Sequence, residues 1–320
     1  MLTRGLLGLA LLATPVAAIE LELPLACTPG RDCTVQQYPD HDAGPGSRDY
    51  ACGAETYDGH DGTDIRVLTT ADAARGVAVL AAAAGVVKGM RDGVADRLVK
   101  GPEDRALIAG RECGNGVVID HGGGFETQDC HMRRGSVSAR KGQRVAGGEK
   151  LGEVGYSGDA GFPHLHLTVR RDGKPVDPFA PEGGAACPSG GAPLWSAGAA
   201  KALAYRPGEI LKAGFSGRTV SLPDVEAGLD GDPPPAAGAT ALVAYGWLIN
   251  LKGGDVLTLA VRDTAGQLFA ENSVTLERNK AQYLILAGRK QAVTGTYSAK
   301  LTVTRAGVEV IAGAAEITID

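Results

Sequence analysis

The sequence predicts an all-β protein in which two β domains follow one another along the chain. Three observations predict this. Glycine is abundant, at 47 of 320 residues, while aromatic residues make up only 5%, a balance that suits a turn-rich β protein better than a helical bundle. Short apolar runs bounded by Gly or Asp recur through most of the chain. One Gly- and Ala-rich stretch, residues 182–192, separates two sets of such runs. With 44% hydrophobic and 22% charged residues the chain can bury a sizeable core, and its length suits two domains.

The elements follow in order. Residues 1–18 read as a cleavable export signal: Arg4 supplies the positive charge, residues 5–13 are apolar, and Val16-Ala17-Ala18 has the small-residue cleavage pattern. Residues 19–56 are rich in Pro, Gly, Asp and Cys with little periodicity, which predicts an irregular leader fastened by disulfides. The first domain, residues 57–181, carries strand patterns at 64–68, 76–80, 85–90, 116–120, 125–130, 151–155 and 164–169. Residues 182–205 are expected to be a linker, with a short helix near 195–206. Residues 206–320 repeat the alternation at 239–251, 255–261, 268–276, 281–286, 295–303 and 308–319, the six or seven strands of a small Ig-like β-sandwich. This second domain has neither His nor Cys, and so lacks the commonest nitrogen and sulfur metal ligands.

Composition also excludes. A net charge of -5 offers no cationic surface to a phosphate backbone, and no Lys/Arg run is interleaved with aromatics, so nucleic acid is not an expected partner. The longest apolar runs, 5–13 and 77–87, fall well short of the roughly 20 residues that span a bilayer, so the chain is expected not to cross one. No Cys follows the signal directly to accept a lipid. All six cysteines lie beyond the expected cut, an even number in an exported chain, which points to disulfides and to a periplasmic or secreted location. Cys113 and Cys130 are centred on the turn-like His121-Gly122-Gly123-Gly124 and should face each other across a hairpin. Of the three connectivities left, Cys33 with Cys52 and Cys27 with Cys187 is the one favoured here.

Four of the six histidines sit in ordered constellations. His60-Asp61-Gly62-Thr63-Asp64 is an H-x-x-x-D spacing that enters a strand from a Gly-bounded loop and brings an imidazole and a carboxylate to one point. In Pro163-His164-Leu165-His166-Leu167, period-2 alternation puts both histidines on one face of a strand and both leucines on the other. His131, in Gln128-Asp129-Cys130-His131-Met132, lies just past the strand that the Cys113–Cys130 bridge would fasten. Taken singly, each has an ordinary structural explanation; together they form an inventory of imidazoles and one carboxylate.

The order H-x-x-x-D, x-H-[LM], H-x-H resembles the lysostaphin-type (LytM-like) zinc metallopeptidases, which cut peptide bridges in bacterial cell walls. The runs 57–64, 114–122, 155–158, 163–167 and 173–178 look like successive blocks of that family, so the resemblance covers about residues 57–181. It implies a lysostaphin-type antiparallel β-sheet domain. It also implies zinc as cofactor, held by His60, Asp64 and His166, with His131 and His164 as the catalytic pair. Three protein ligands leave a fourth tetrahedral position open, as a catalytic zinc requires. A neutral imidazole can take a proton and a second can donate a hydrogen bond to a developing oxyanion, and either histidine suits either task. The chain departs from the family at Asp129, where similar proteins usually have Tyr; Asp129 shares the strand face of His131 if alternation is regular, where it would either orient and charge-stabilise His131 or simply be exposed, the latter being the expectation here. His121 reads as structural, and His41, in the leader, is a candidate for covering the cleft.

The resemblance thus implies an exported endopeptidase acting on peptidoglycan peptide stems. The competing implication is a non-catalytic scaffold of the same fold that regulates cell-wall hydrolases; the presence of all five key residues favours the enzyme. Gly cross-bridges and a D-Ala bond to a diamino acid both present a carbonyl flanked by small groups, and the lack of a sorting motif or wall-binding SH3-like module favours a periplasmic setting and the D-Ala bond. The C-terminal sandwich is a candidate for binding the cell wall or a partner protein.

Overall fold

The computed structural model describes residues 19–320 except 185, 230–233 and 292; the expected export signal, residues 1–18, lies outside the described residues. The first half contains, in chain order, β1 (Cys33–Gln37), β2 (Thr63–Val67), helix α1 (Thr70–Arg75), β3 (Ala78–Leu80), β4 (Gly85–Arg91), helix α2 (Pro102–Ile108), β5 (Asn115–Gly122), β6 (Phe125–Met132), β7 (Arg144–Val145), β8 (Lys150–Glu153), β9 (His164–Arg171) and β10 (Lys174–Val176). The principal sheet runs β1-β2-β9-β6-β5-β4-β7, with β10 beside β9, and β3 pairs separately with β8. Its ladders are antiparallel. Alternation gives it two unlike faces. Ile65, Val67, Val117, Ile119, Leu165, Leu167 and Val169 bury one face in the main core. Asp64, Arg66, His164 and His166 project from the other, since Asp64 stands opposite His166 and Arg66 opposite His164.

The leader is less irregular than its composition predicts. It supplies β1, which pairs with β2, and it sends Leu21, Leu25, Cys33, Val35 and Tyr38 into the main core. Four of the five residues Cys-Thr-Val-Gln-Gln of β1 are buried, yet the run is mostly polar, so it gives no apolar alternation to read. The Cys113–Cys130 bridge is as expected, but the other two are not: Cys27 joins Cys33 and Cys52 joins Cys187, rather than Cys33 with Cys52 and Cys27 with Cys187. A turn in which the Gly30 amide donates to the Cys33 carbonyl folds Cys27 back onto Cys33, and this short-range closure leaves Cys52 to fasten the leader to the segment beyond β10. Both Cys113 and Cys130 replaced by Ser should cost about 3 kcal/mol of stability, read as a lower thermal midpoint under non-reducing conditions, and should loosen the His131 backbone, whose amide donates to the Cys113 carbonyl. Unchanged melting of that variant would contradict this.

The second half comprises helix α3 (Ala197–Ala202), β11 (Glu209–Ser216), helix α4 (Leu222–Ala227), β12 (Leu242–Leu251), β13 (Val256–Asp263), β14 (Leu268–Thr275), β15 (Lys280–Arg289), β16 (Gly295–Arg305) and β17 (Val308–Ile319). The seven strands form a three-stranded sheet, β11-β12-β15, and a four-stranded sheet, β14-β13-β16-β17, packed about Leu242, Leu248, Leu257, Leu259, Ile285 and Leu301. That is an Ig-like division, with the second and fifth strands paired in one sheet and the third, sixth and seventh in the other. Strand β11 has no counterpart in the sequence expectations, nor do α1, α2 and α4, each too short to show a helical period; α1 and α4 are instead set by capping boxes at Thr69/Asp72 and Ser221/Asp224.

The central strand β12 of the three-stranded sheet is buried on both faces. Residues Leu242, Ala244 and Leu248 of β12 enter the sandwich core, whereas Tyr245, Trp247 and Ile249 form a separate cluster with Leu211, Val225 and Leu68. Polar contacts follow the same seam: Thr34 donates to Glu209, and the Asn250 amide donates to the Gln36 carbonyl at 2.9 Å and to Glu55 at 3.1 Å.

Candidate metal centre and active site

His60 comes from the loop before β2, Asp64 from β2 and His166 from β9. Their facing atoms converge: Asp64 Oδ1 lies 2.8 Å from His166 Nδ1 and 3.2 Å from His60 Nε2, and the two ring nitrogens are 3.2 Å apart. Gly62 makes the loop fit, since a Cβ there would sit 2.6 Å from His166 Nε2 and 2.8 Å from the Leu167 carbonyl oxygen.

The outer nitrogens decide the state of the inner ones. His60 Nδ1 is 2.7 Å from the Tyr38 carbonyl, which only accepts, so it carries the proton and Nε2 presents a lone pair. His166 Nε2 faces Asp61 at 3.2 Å, which fixes its proton on the outer side and leaves Nδ1 facing inward. Three electron-pair donors thus point at one another, an arrangement that needs a cation between them. Donors about 2.0–2.1 Å from a tetrahedral zinc stand roughly 3.3 Å apart, and the three here are spaced for that with little adjustment. Without metal a proton does the work: burial opposes a charge on His166, but hydrogen bonds to Asp61 and Asp64 outweigh it and push the imidazole up to about 9. Burial likewise opposes the Asp64 carboxylate, yet the surrounding imidazoles hold it well below the usual range. The residues present fit a zinc ion.

His131 and His164 stand beside this group, their ring centroids 4.6 Å apart. Each donates Nδ1–H to a carbonyl, His131 to Ser157 at 2.7 Å and His164 to Phe162 at 2.8 Å, so each offers an Nε2 lone pair. Burial, reinforced by His164 and His166, holds the His131 imidazole well below its ordinary value. Burial also lowers His164, against the pull of Asp64. Both are neutral at pH 7. A cavity of about 270 Å³ opens on Asp64, His131 and His164, with Tyr57, Arg105, Asp159 and Phe162 in its walls. Sequence reasoning missed these wall residues and Asp61; the adjacency of Tyr57 and Asp61 to His60 was the one signal that could have found any of them.

Asp129 corrects an expectation. It is fully buried rather than exposed, and neither carboxylate oxygen has a hydrogen-bond partner. The assumed shared face with His131 fails because His131 has φ 61°, a left-handed backbone that breaks the alternation. Cys130, opposite His166, keeps the site face, whereas Asp129 stands opposite Leu167 on the core side. Burial pushes its carboxyl up to about 8. Since the folded state keeps a proton that the unfolded chain loses near pH 4, stability should fall as pH rises from about 4 to about 8. Asp129→Asn should therefore match the parent near pH 4 and exceed it increasingly above, by up to about 1.4 kcal/mol per pH unit, in melts taken across that range. A constant difference between the two proteins would contradict this.

His121 is structural as expected, its ring held between the Ala84 carbonyl and the Thr127 hydroxyl. His41 pairs with Asp177 at 2.7 Å and lines a cavity of about 830 Å³ that also reaches His60 and Asp61.

Two histidines and a carboxylate with an open side are the make-up of an open metal site on an antiparallel sheet. Residues 58–178 match the model of peptidase family M23. Curated relatives align over shorter stretches. The DD-carboxypeptidase/endopeptidase Mpg of Neisseria gonorrhoeae is 42% identical over 65 residues, 20% of this chain and 14% of that protein. The peptidoglycan DD-endopeptidase ShyA of Vibrio cholerae is 38% identical over 64 residues, again 20% and 14%. The cell division protein DipM of Caulobacter vibrioides is 39% identical over 71 residues, 20% of this chain and 11% of that protein. The match therefore spans about a seventh of these relatives' length or less. Among solved structures, the catalytic domain of the prophage-encoded M23 protein EnpA from Enterococcus faecalis superposes with a TM-score of 0.31 at 20% identity, over 45% of this chain and 87% of that one.

Proposed function

We propose that this chain is an exported, zinc-dependent endopeptidase that hydrolyses peptide cross-bridges of bacterial peptidoglycan, with His60, Asp64 and His166 as metal ligands and His131 and His164 as the catalytic pair. The observation that carries the reading is the convergence of three inward-facing donor atoms beside two neutral imidazoles whose Nε2 lone pairs are free. The M23 match and the relatives named as DD-endopeptidases support it and favour a D-Ala bond over a Gly bridge. The three disulfides support export, and among the described residues no helix is long and apolar enough to cross a membrane.

His60, Asp64 and His166 would hold the zinc, which when bound would lower the proton affinity of a water and polarise the scissile carbonyl. The chain's own residues then move protons. With Nδ1–H committed to a carbonyl, His131 and His164 can act at Nε2 only by accepting first, so each is built as a base. The imidazole that takes the proton becomes a cationic donor and returns it to the departing amine or steadies the oxyanion. The low proton affinity that burial gives His131 makes it a ready donor once charged.

Mass spectrometry of muropeptides after incubation with zinc-loaded protein tests the reading. Cross-linked species should fall and their separated stems rise. Zinc binding without any such change would instead support the non-catalytic scaffold.

A further inference from the structure

We propose that the C-terminal sandwich positions the catalytic wall of the first domain, through an aromatic clamp in which Trp247 presses the Arg66 guanidinium against Phe162 beside His164. The inference rests on the peptidase reading above and adds a role for residues outside the M23 match. Arg66 lies on β2, two residues beyond Asp64 and opposite His164, on the face that carries the candidate site. It is fully buried. A buried guanidinium is costly unless its charge is met. Here Nη1 donates to Gln36 Oε1 at 2.8 Å and Nε to the Leu68 carbonyl at 3.4 Å, while Nη2 has no hydrogen-bond partner, so the rings on either side, 4.6 Å to the Phe162 centroid and 4.5 Å to that of Trp247, supply the remaining stabilisation. Such cation–π contacts strengthen when desolvated.

Each end of the stack leads somewhere. Trp247 is fully buried on the outer face of β12, in the cluster that joins the sandwich to Leu68 of the first domain. Asn250, three residues on, grips the carbonyl of Gln36, whose side chain holds Arg66. At the other end Phe162 forms part of the catalytic cavity, its ring stands 4.5 Å from that of His164, and its carbonyl accepts the His164 Nδ1 proton that fixes the tautomer. Loosening Trp247 therefore frees Arg66, then Phe162, and then the imidazole whose Nε2 must face the substrate. An apolar residue in place of Arg66 would fill the slot equally well if packing were all that mattered; a cation between two rings sets their spacing and orientation.

The test uses the full chain. Trp247→Leu should bind zinc as the parent does, keep KM within about twofold and lose tenfold or more in kcat, while Trp247→Phe, which restores a ring face, should recover most of it. In nitrogen-labelled protein without substrate, the His164 Nδ1 proton should exchange with solvent at least about fivefold faster in the Leu than in the Phe variant. Equal losses in the two variants, or parental kcat and parental exchange in Trp247→Leu, would overturn the clamp. If Trp247→Leu does not fold, Arg66→Met against Arg66→Lys draws the same contrast between filled volume and charge. If the parent protein itself shows no turnover, the peptidase reading fails and the exchange rates alone decide whether the sandwich positions His164.

Discussion

Replacing His131 or His164 by Ala is expected to lower turnover of a cross-linked muropeptide about 100-fold or more while zinc stays bound. The scale is that of losing one acid–base or oxyanion group. Neither ring shares the close triangle of His60, Asp64 and His166: His164 Nε2 is 3.6 Å from Asp64 Oδ1, and His131 reaches the group only by ring contacts. Because burial keeps both rings neutral, the effect should appear chiefly in kcat, with KM little changed. Steady-state kinetics on a defined muropeptide check this, and full turnover in either variant would end the peptidase reading.

The second large effect is at the metal. Asp64→Ala should abolish zinc binding and reduce hydrolysis to background, because two imidazoles make a poor site without the carboxylate at their centre. Stability gives an independent readout. Zinc at 100 times its dissociation constant should stabilise the parent by about 2.7 kcal/mol and leave Asp64→Ala unmoved. A variant that melts higher on zinc addition, as the parent does, would show that the metal binds elsewhere.

The strands that build the site were legible because each is a short alternating run closed by Gly or Asp: β2, β4, β5, β6 and β9 fall within a few residues of their expected ends. The same alternation foretold that His164 and His166 share a face, and the Cys113–Cys130 hairpin was readable from its central glycines. What escaped depends on contacts between distant segments. The burial of β1 comes from pairing with β2 and packing into the main core, neither of which a polar pentapeptide announces. Disulfide partners of the leader follow from how it folds back, not from spacing. At His131 a positive φ swaps the faces of two neighbouring side chains, so regular alternation put Asp129 on the wrong side. Arg66 looked like an ordinary charged residue in a strand until Trp247, far along the chain, closed over it.

The central claim divides two histidines separated by a single residue on β9, and zinc content per chain in His164→Ala and His166→Ala, prepared side by side without chelator, tests it most directly. The geometry predicts zinc retained in His164→Ala and lost in His166→Ala, whose Nδ1 completes the triangle with Asp64 and His60. Loss in the first with retention in the second would contradict it.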